Sequence, residues 1–147
     1  MLEHHTDQTV CKMKVMERSI FSSQYCFTKN LANQQIIDES EEAVLNKWFE
    51  FITTNELFKV DYIVYLQTTP EVSYERLQKR NRSEEKNIKL EQIKELHKLH
   101  EEWLVEGKSP IPAPVLILNA DKNIDEVKSD FLSGFSKIMM GLHSHIG

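Results

Sequence analysis

"DYIVYLQTTPEVSYERLQKR", residues 61–80, is the stretch whose reading decides the fold. Its opening part, Asp61 to Thr68, is short, rich in aliphatic and β-branched residues and bounded by polar sequence, the signature of a buried strand. Thr69 then stands as an N-cap, Pro70 at the first helical position and Glu71 in the first turn, which predicts a helix start. A second run of the same character, "PVLILNA", covers Pro114 to Ala120. "CKMKVM", Cys11 to Met16, is a further strand candidate. Near-continuous apolar runs suit the inner strands of a parallel sheet covered on both faces.

Helical patterns fill the intervals. Between Glu41 and Leu57, the residues Val44, Leu45, Trp48, Phe49 and Ile52 recur at helical spacing behind an acidic start that favours the helix dipole. Leu90, Ile93, Leu96, Leu99, Trp103 and Leu104 mark another helix, which ends near Gly107 ahead of Pro110, Pro112 and Pro114. A last helix is predicted from Asn123, with Glu126 placed to complete a capping box and Val127, Phe131, Phe135 and Ile138 on the buried side. Strands alternating with helices in this order imply an α/β fold with a parallel sheet. No internal repeat or low-complexity linker divides the sequence, so residues 1–147 are read as one domain.

Composition narrows the function. Of the 147 residues 40% are hydrophobic and 28% charged, which suits a packed domain rather than a disordered chain, and the net charge of −5 opposes nucleic-acid binding by bulk charge. Cys11 and Cys26 form neither a disulfide framework nor a zinc knuckle, so a reducing compartment is expected. No apolar run is long enough to span a bilayer, and "MLEHHTDQTV" has neither a signal-peptide core nor a transit-peptide pattern. The expectation is a soluble intracellular protein.

Several motifs invite chemistry. "EGKSP", residues 106–110, resembles the end of a phosphate-binding loop, but the position that requires the first glycine holds Glu102, and Pro110 and Pro112 oppose the helix that must follow. "LHKLHEEWL" lacks the H-E-x-x-H order of a zinc protease, because His97 and His100 both precede Glu101, and is read as a surface or half-buried helix pair. In "VMERSIF", Glu17, Arg18 and Ser19 directly follow a strand candidate, where open α/β sheets bind ligands; the alternative is an ordinary polar loop. Arg76, Lys79 and Arg80 share one side of a helix by spacing, with Arg82 just beyond. Such a cluster suits phosphate oxygens, but spacing alone favours a solvated helix end where basic residues answer the dipole.

Taken together, "MERSIFSSQYCF", "VDYIVYLQTTPEVSYERLQKRNRSEE" and "LHKLHEEWL" resemble the deoxyribonucleoside kinase family, in order and over nearly the whole chain. The resemblance implies a P-loop kinase-like parallel sheet flanked by helices, usually in a homodimer, and ATP-dependent phosphorylation of a deoxyribonucleoside 5′-hydroxyl in nucleotide salvage. It implies that Arg76, Arg80 and Arg82 are lid arginines closing over the donor, with Arg80 and Arg82 catalytic. Glu85 matches the acid that hydrogen-bonds the sugar 3′-hydroxyl; Phe27 matches an aromatic that stacks on the base, and Ser23 a position that influences base choice. Glu17 and Arg18 match a Glu-Arg-Ser signature in which the Glu helps hold Mg²⁺ and the Arg orients the 5′-hydroxyl and the catalytic base. Lys122, Asn123 and Ile124 match the loop that touches the adenine of ATP.

The chain also departs from the family pattern. Family members place a strand, a Gly-rich phosphate loop and a catalytic Glu ahead of Glu-Arg-Ser, and none of these is found before Glu17. Met1 aligns with an interior methionine of the family, so the domain is expected to be N-terminally truncated and the isolated chain inactive or nearly so. The alternative expectation is a non-catalytic partner that pairs with a full-length kinase. Gln24 stands where relatives commonly carry Arg. The parent's compartment, cytoplasmic or mitochondrial, and its preferred base are left open by these residues.

Overall fold

The structure, a computed structural model, describes residues 14–143, with side chains described through Phe135 except for Glu56. The described chain forms two compact units, one from residues up to Val60 together with Glu95–Pro112, the other from Asp61–Lys94 together with Ala113 onward.

In the first unit a helical run over residues 20–33 (α1) is α-helical at Ile20–Ser22, π-helical at Ser23–Thr28 and α-helical again at Lys29–Asn33. Ser19 caps it through a reciprocal pair: its hydroxyl accepts from the Ser22 amide, and the Ser22 hydroxyl accepts from the Ser19 amide at 3.0 Å. Helix α2, Glu39–Thr53, starts two residues earlier than its apolar spacing predicts, because Asp38 accepts the amides of Ser40 and Glu41 while the Glu41 carboxylate returns to the Asp38 amide. A short 3₁₀ turn, Glu56–Phe58, follows.

The second unit holds the sheet. Strands β1, Ile63–Gln67, and β2, Val115–Asn119, pair in parallel with Ile63 opposite Val115 and Gln67 opposite Asn119. Helix α3, Pro70–Arg80, leaves β1 almost at once. After a 3₁₀ turn at Ser83–Glu85 comes α4, Leu90–Leu104, which passes into the first unit from Glu95 onward, and α5, Ile124–His143, is the last described element. The α/β class and the parallel pairing agree with the sequence. The capping box of α5 does too, since Asn123 accepts the amides of Asp125 and Glu126 and Glu126 accepts that of Asn123. Gly134 lets α5 approach β2, because a Cβ there would lie 2.7 Å from a Leu116 methyl. The end of α4 also falls as expected: Gly107 adopts φ 67° and the Trp103 indole donates to the Pro110 carbonyl at 3.1 Å.

Two expectations are amended, and one helical stripe is found open. Lys14–Met16 form no strand, and the rest of the Cys11–Met16 candidate lies outside the described residues. The two strands are not covered on both faces among the described residues: Val64, Leu66 and Ile117 are exposed, because a strand neighbour satisfies the backbone edge while only a packed layer covers a face. The apolar stripe of α2 is likewise open, with Val44, Leu45 and Trp48 exposed, since helical spacing creates a stripe without specifying what covers it.

Buried apolar residues concentrate in the first unit at Ile20, Phe21, Cys26, Leu99, Trp103 and Leu104. Rings knit them together: Phe49 meets Phe21 and Tyr25 edge to face, and Tyr25 leans on Trp103 with centroids 5.3 Å apart. In the second unit Leu118 and Ala120 are the buried apolar residues of the sheet and the turn behind it.

Candidate functional site

Each unit carries part of the expected residue set. In the first, Arg18 is a non-glycine residue at φ 63°, a left-handed conformation that needs local support. Ser19 is extended immediately after it, and its capping pair fixes where α1 begins. The π-helical turn then holds Ser23, Cys26 and Phe27; single π-turns inside helices are frequent at functional sites because the extra residue re-aims side chains. The Arg18 guanidinium lies 4.6 Å from the centre of the Phe27 ring, a cation–π contact. On another side Phe27 meets His100 edge to face at 6.2 Å.

His100 anchors this group. Its Nδ1–H donates to the Leu96 carbonyl at 2.7 Å, leaving Nε2 as the nitrogen without that proton. Burial pushes the imidazole below its usual pKa, with the nearby Arg18 and His97 charges adding to that and the Leu96 carbonyl and Glu101 opposing it. Glu17 is exposed, whereas Ser23 and Phe27 are half-buried. Beside them the Cys26 thiol is fully buried and its pKa is pushed up to about 12 by desolvation, so it is an inert packing residue.

In the second unit the basic segment is folded back on itself. Asn81 ends α3 in the left-handed region at φ 48°, with its amide on the Leu77 carbonyl. Arg82 is extended, and the 3₁₀ turn Ser83–Glu85 brings the Glu85 carboxylate back to the helix end. There the Arg80 guanidinium grips both carboxylate oxygens, at 2.6 and 3.1 Å, and Arg82 lies 3.8 Å away.

The residues that share one helical side in sequence do not share a partner in space. Lys79 pairs with Glu75 at 2.7 Å. Arg76 turns to the chain after β2, where it donates to the carbonyls of Ala120, Asp121 and Lys122 at 2.6, 3.3 and 3.1 Å. The Lys122 ammonium rests on Asp130 at 2.7 Å, which raises its pKa. Asn123 caps α5 and Ile124 is exposed. Thus Arg80, Arg82 and Glu85 come together, Arg18 and Phe27 come together, and Arg76 joins residues 120–122.

Two residues that belong to these clusters escaped the sequence reading. Asp121 accepts the Thr69 amide at 2.8 Å and its hydroxyl at 3.3 Å, so Thr69 spends its side chain on this link rather than on an N-cap bond. Nothing in the sequence signals a partner that distant. His100 did carry a signal, the "LHKLHEEWL" pattern, but metal spacing alone could not point to Phe27. Among the described residues no group of His, Cys, Asp and Glu has a metal-binding arrangement, and no helix is long and apolar enough to cross a membrane.

The family model for deoxynucleoside kinase matches residues 1–140. The chain belongs to the deoxynucleoside kinase family. Among curated relatives it is 43% identical over 140 residues to mitochondrial thymidine kinase 2 of Homo sapiens, covering 95% of this chain and 53% of that protein. It is 37% identical to deoxycytidine kinase 2 of Gallus gallus, over 82% of this chain and 49% of the relative. It is 35% identical to mitochondrial deoxyguanosine kinase of Xenopus laevis, over 77% and 46%. The chain therefore spans about half the length of the curated relatives it matches. The helix-rich α/β architecture with a parallel sheet is consistent with the P-loop kinase-like fold of a deoxynucleoside kinase.

Proposed function

We propose that this chain is the lid-bearing and nucleoside-binding portion of a kinase that moves the terminal phosphate of ATP to the 5′-hydroxyl of a deoxyribonucleoside, as part of nucleotide salvage. The observation that carries this reading is the turn at Asn81, which sets two arginines and one carboxylate at a single point in a chain of this family. Guanidinium forks match phosphate oxygens, and phosphoryl transfer depends chiefly on positioning and on stabilising charge spread over the moving group. Arg80 and Arg82 take that role. Glu85, an acceptor when ionised, suits the sugar 3′-hydroxyl as donor.

In the unligated lid these groups occupy each other. Reaching phosphate and sugar separates Arg80 from Glu85, a bidentate pair worth more than an ordinary surface ion pair, so new contacts of each group with the ligands must replace it. Phe27 supplies the face for the base, Ser23 a contact that bears on which base is taken, and Arg18 the group that orients the 5′-hydroxyl and the catalytic base. Arg76 and residues Lys122 to Ile124 serve the donor side. The relatives are named for thymidine, deoxycytidine and deoxyguanosine, so the resemblance leaves the base open.

The exposed Glu17 carboxylate fits Mg²⁺, a cation that takes one or two protein carboxylates alongside substrate phosphates and water. Bound there, the ion would neutralise donor charge. Two copies pairing through the exposed Val44, Leu45, Trp48 and Phe51 of α2 would account for that stripe, and a strictly monomeric chain in sedimentation would argue against it. The chain works inside the cell, in the cytoplasm or in the mitochondrion as some relatives' names suggest.

The 147 residues contain no G-x-x-x-x-G-K-[ST] phosphate loop, whose amides and lysine cradle donor phosphates in P-loop enzymes. The kinase domain is accordingly partial and the chain alone transfers phosphate very slowly. An assay with ATP, Mg²⁺ and the four deoxynucleosides tests this: turnover near the ~1–100 s⁻¹ usual for kinases would defeat it.

A further inference from the structure

Arg76 looks from its spacing like a third phosphate-binding arginine, and its geometry says otherwise. Its two terminal nitrogens are committed to three successive carbonyls, those of Ala120, Asp121 and Lys122. A guanidinium carries five donors in a rigid plane and no acceptor, so it can bracket such a turn as an ammonium on a flexible stem cannot. We propose that Arg76 is a positioning residue, a strut that holds the turn at residues 120–122 against α3 and so sets where the donor's base meets residues 122–124.

Other observations support a single braced body. The Asp121 carboxylate takes the amide and hydroxyl of Thr69, at the opposite end of α3's first turns from Arg76. The Asp121 amide is held by the Asn119 side chain at 2.9 Å, and the Ala120 amide continues the sheet ladder to the Gln67 carbonyl at 2.8 Å. The turn is therefore tied to the end of β2, to the start of α3 and, through Arg76, to its middle. Arg80, one helical turn further on, has no share in it and pairs with Glu85 instead. Two arginines four residues apart thus have separate work: one shapes the donor-side turn, the other remains exchangeable between Glu85 and a ligand.

The assignment of a donor base to residues 122–124 rests on the function proposed above; the strut itself does not. Amide hydrogen exchange on the full chain separates the two. The Ala120 and Asp121 amides are protected by partners other than Arg76, so their exchange reports where the turn is held. Arg76→Met is expected to speed both by roughly tenfold or more, and Arg76→Gln, which keeps one donor group, by less. The Ile63 amide, bonded to Pro114 in the same sheet, should keep its wild-type rate.

Binding of inorganic triphosphate and of adenosine, measured separately, supplies the second readout. Arg76→Met should weaken adenosine and leave triphosphate within about twofold, whereas Arg80→Met should weaken triphosphate. Unchanged exchange at Ala120 and Asp121, or a loss of triphosphate affinity in Arg76→Met equal to that in Arg80→Met, would overturn the strut. A wild-type chain that binds neither probe would overturn the donor-side reading, and the exchange rates would then decide the strut alone.

Discussion

The group around Phe27 and the group around Glu85 are built from opposite materials. Phe27 stands on a helical run that carries the buried Ile20, Phe21 and Cys26 and meets the buried Trp103 through Tyr25, and its own ring is contacted by Arg18 and His100. Glu85 is reached only by chain reversal at Asn81 and is held by Arg80 and Arg82, whose side chains are 50% and 61% exposed while that of Glu85 itself is 18% exposed. Packed rings are stiff, because interiors are dense and every displacement loses contacts. Guanidiniums that face solvent can exchange one anionic partner for another without repacking an interior. A substrate platform and a closing lid need these two properties, and the difference suits the assignment of base stacking to one and phosphate capture to the other.

The largest expected effect breaks the stiff side. Trp103 is 3% exposed, packs on Tyr25 and donates to Pro110. Trp103→Ala should cost ~3–5 kcal/mol in chemical denaturation, chiefly through the cavity it leaves, with the lost hydrogen bond to Pro110 adding to it. A cost under ~1 kcal/mol would mean that the platform is not supported from this side.

A smaller effect sharpens the same side through pH. The pKa of His100 is lowered in the folded chain, chiefly by burial, so as pH falls the unfolded chain takes up this proton first. The contribution is complete above the ordinary value of 6.5 and is lost as pH drops below it through the folded value. The wild type should therefore lose stability relative to His100→Phe as pH falls, and a difference between the two that stays constant with pH would contradict the assignment.

The smallest effect belongs to the lid. A double-mutant cycle on Arg80→Met and Glu85→Gln should give a coupling of ~1 kcal/mol, at the upper end for a surface pair because the contact is bidentate, and shrinking in high salt. A coupling of several kcal/mol that resists salt would make the lid as rigid as the platform and erase the contrast.

Legibility followed the range of the interactions. Strands β1 and β2, the Asn123 cap and the Gly107 stop were readable because each rests on neighbours within a few residues. Even Asp38 belonged to a readable pattern, Asp followed three residues on by Glu, although the apolar spacing alone pointed to a later start. The links from Arg76 and Thr69 to residues 120–122 were not readable, since they bridge more than forty positions and depend on the parallel register of β1 with β2. The left-handed turn at Asn81 was equally hidden, because asparagine only permits that conformation. Of the candidate site, the residue types were visible and their pairing was not: spacing grouped Arg76 with Arg80, and folding separated them.

Isothermal calorimetry of the chain with thymidine and deoxycytidine tests the central proposal most directly, because it asks whether the chain receives a nucleoside at all. The account predicts heat with at least one of them, abolished by Phe27→Ala and reduced about tenfold or more in affinity by Glu85→Gln, which cannot accept as a charged group. No heat from the wild-type chain with either nucleoside, or equal heat from all three proteins, would contradict it.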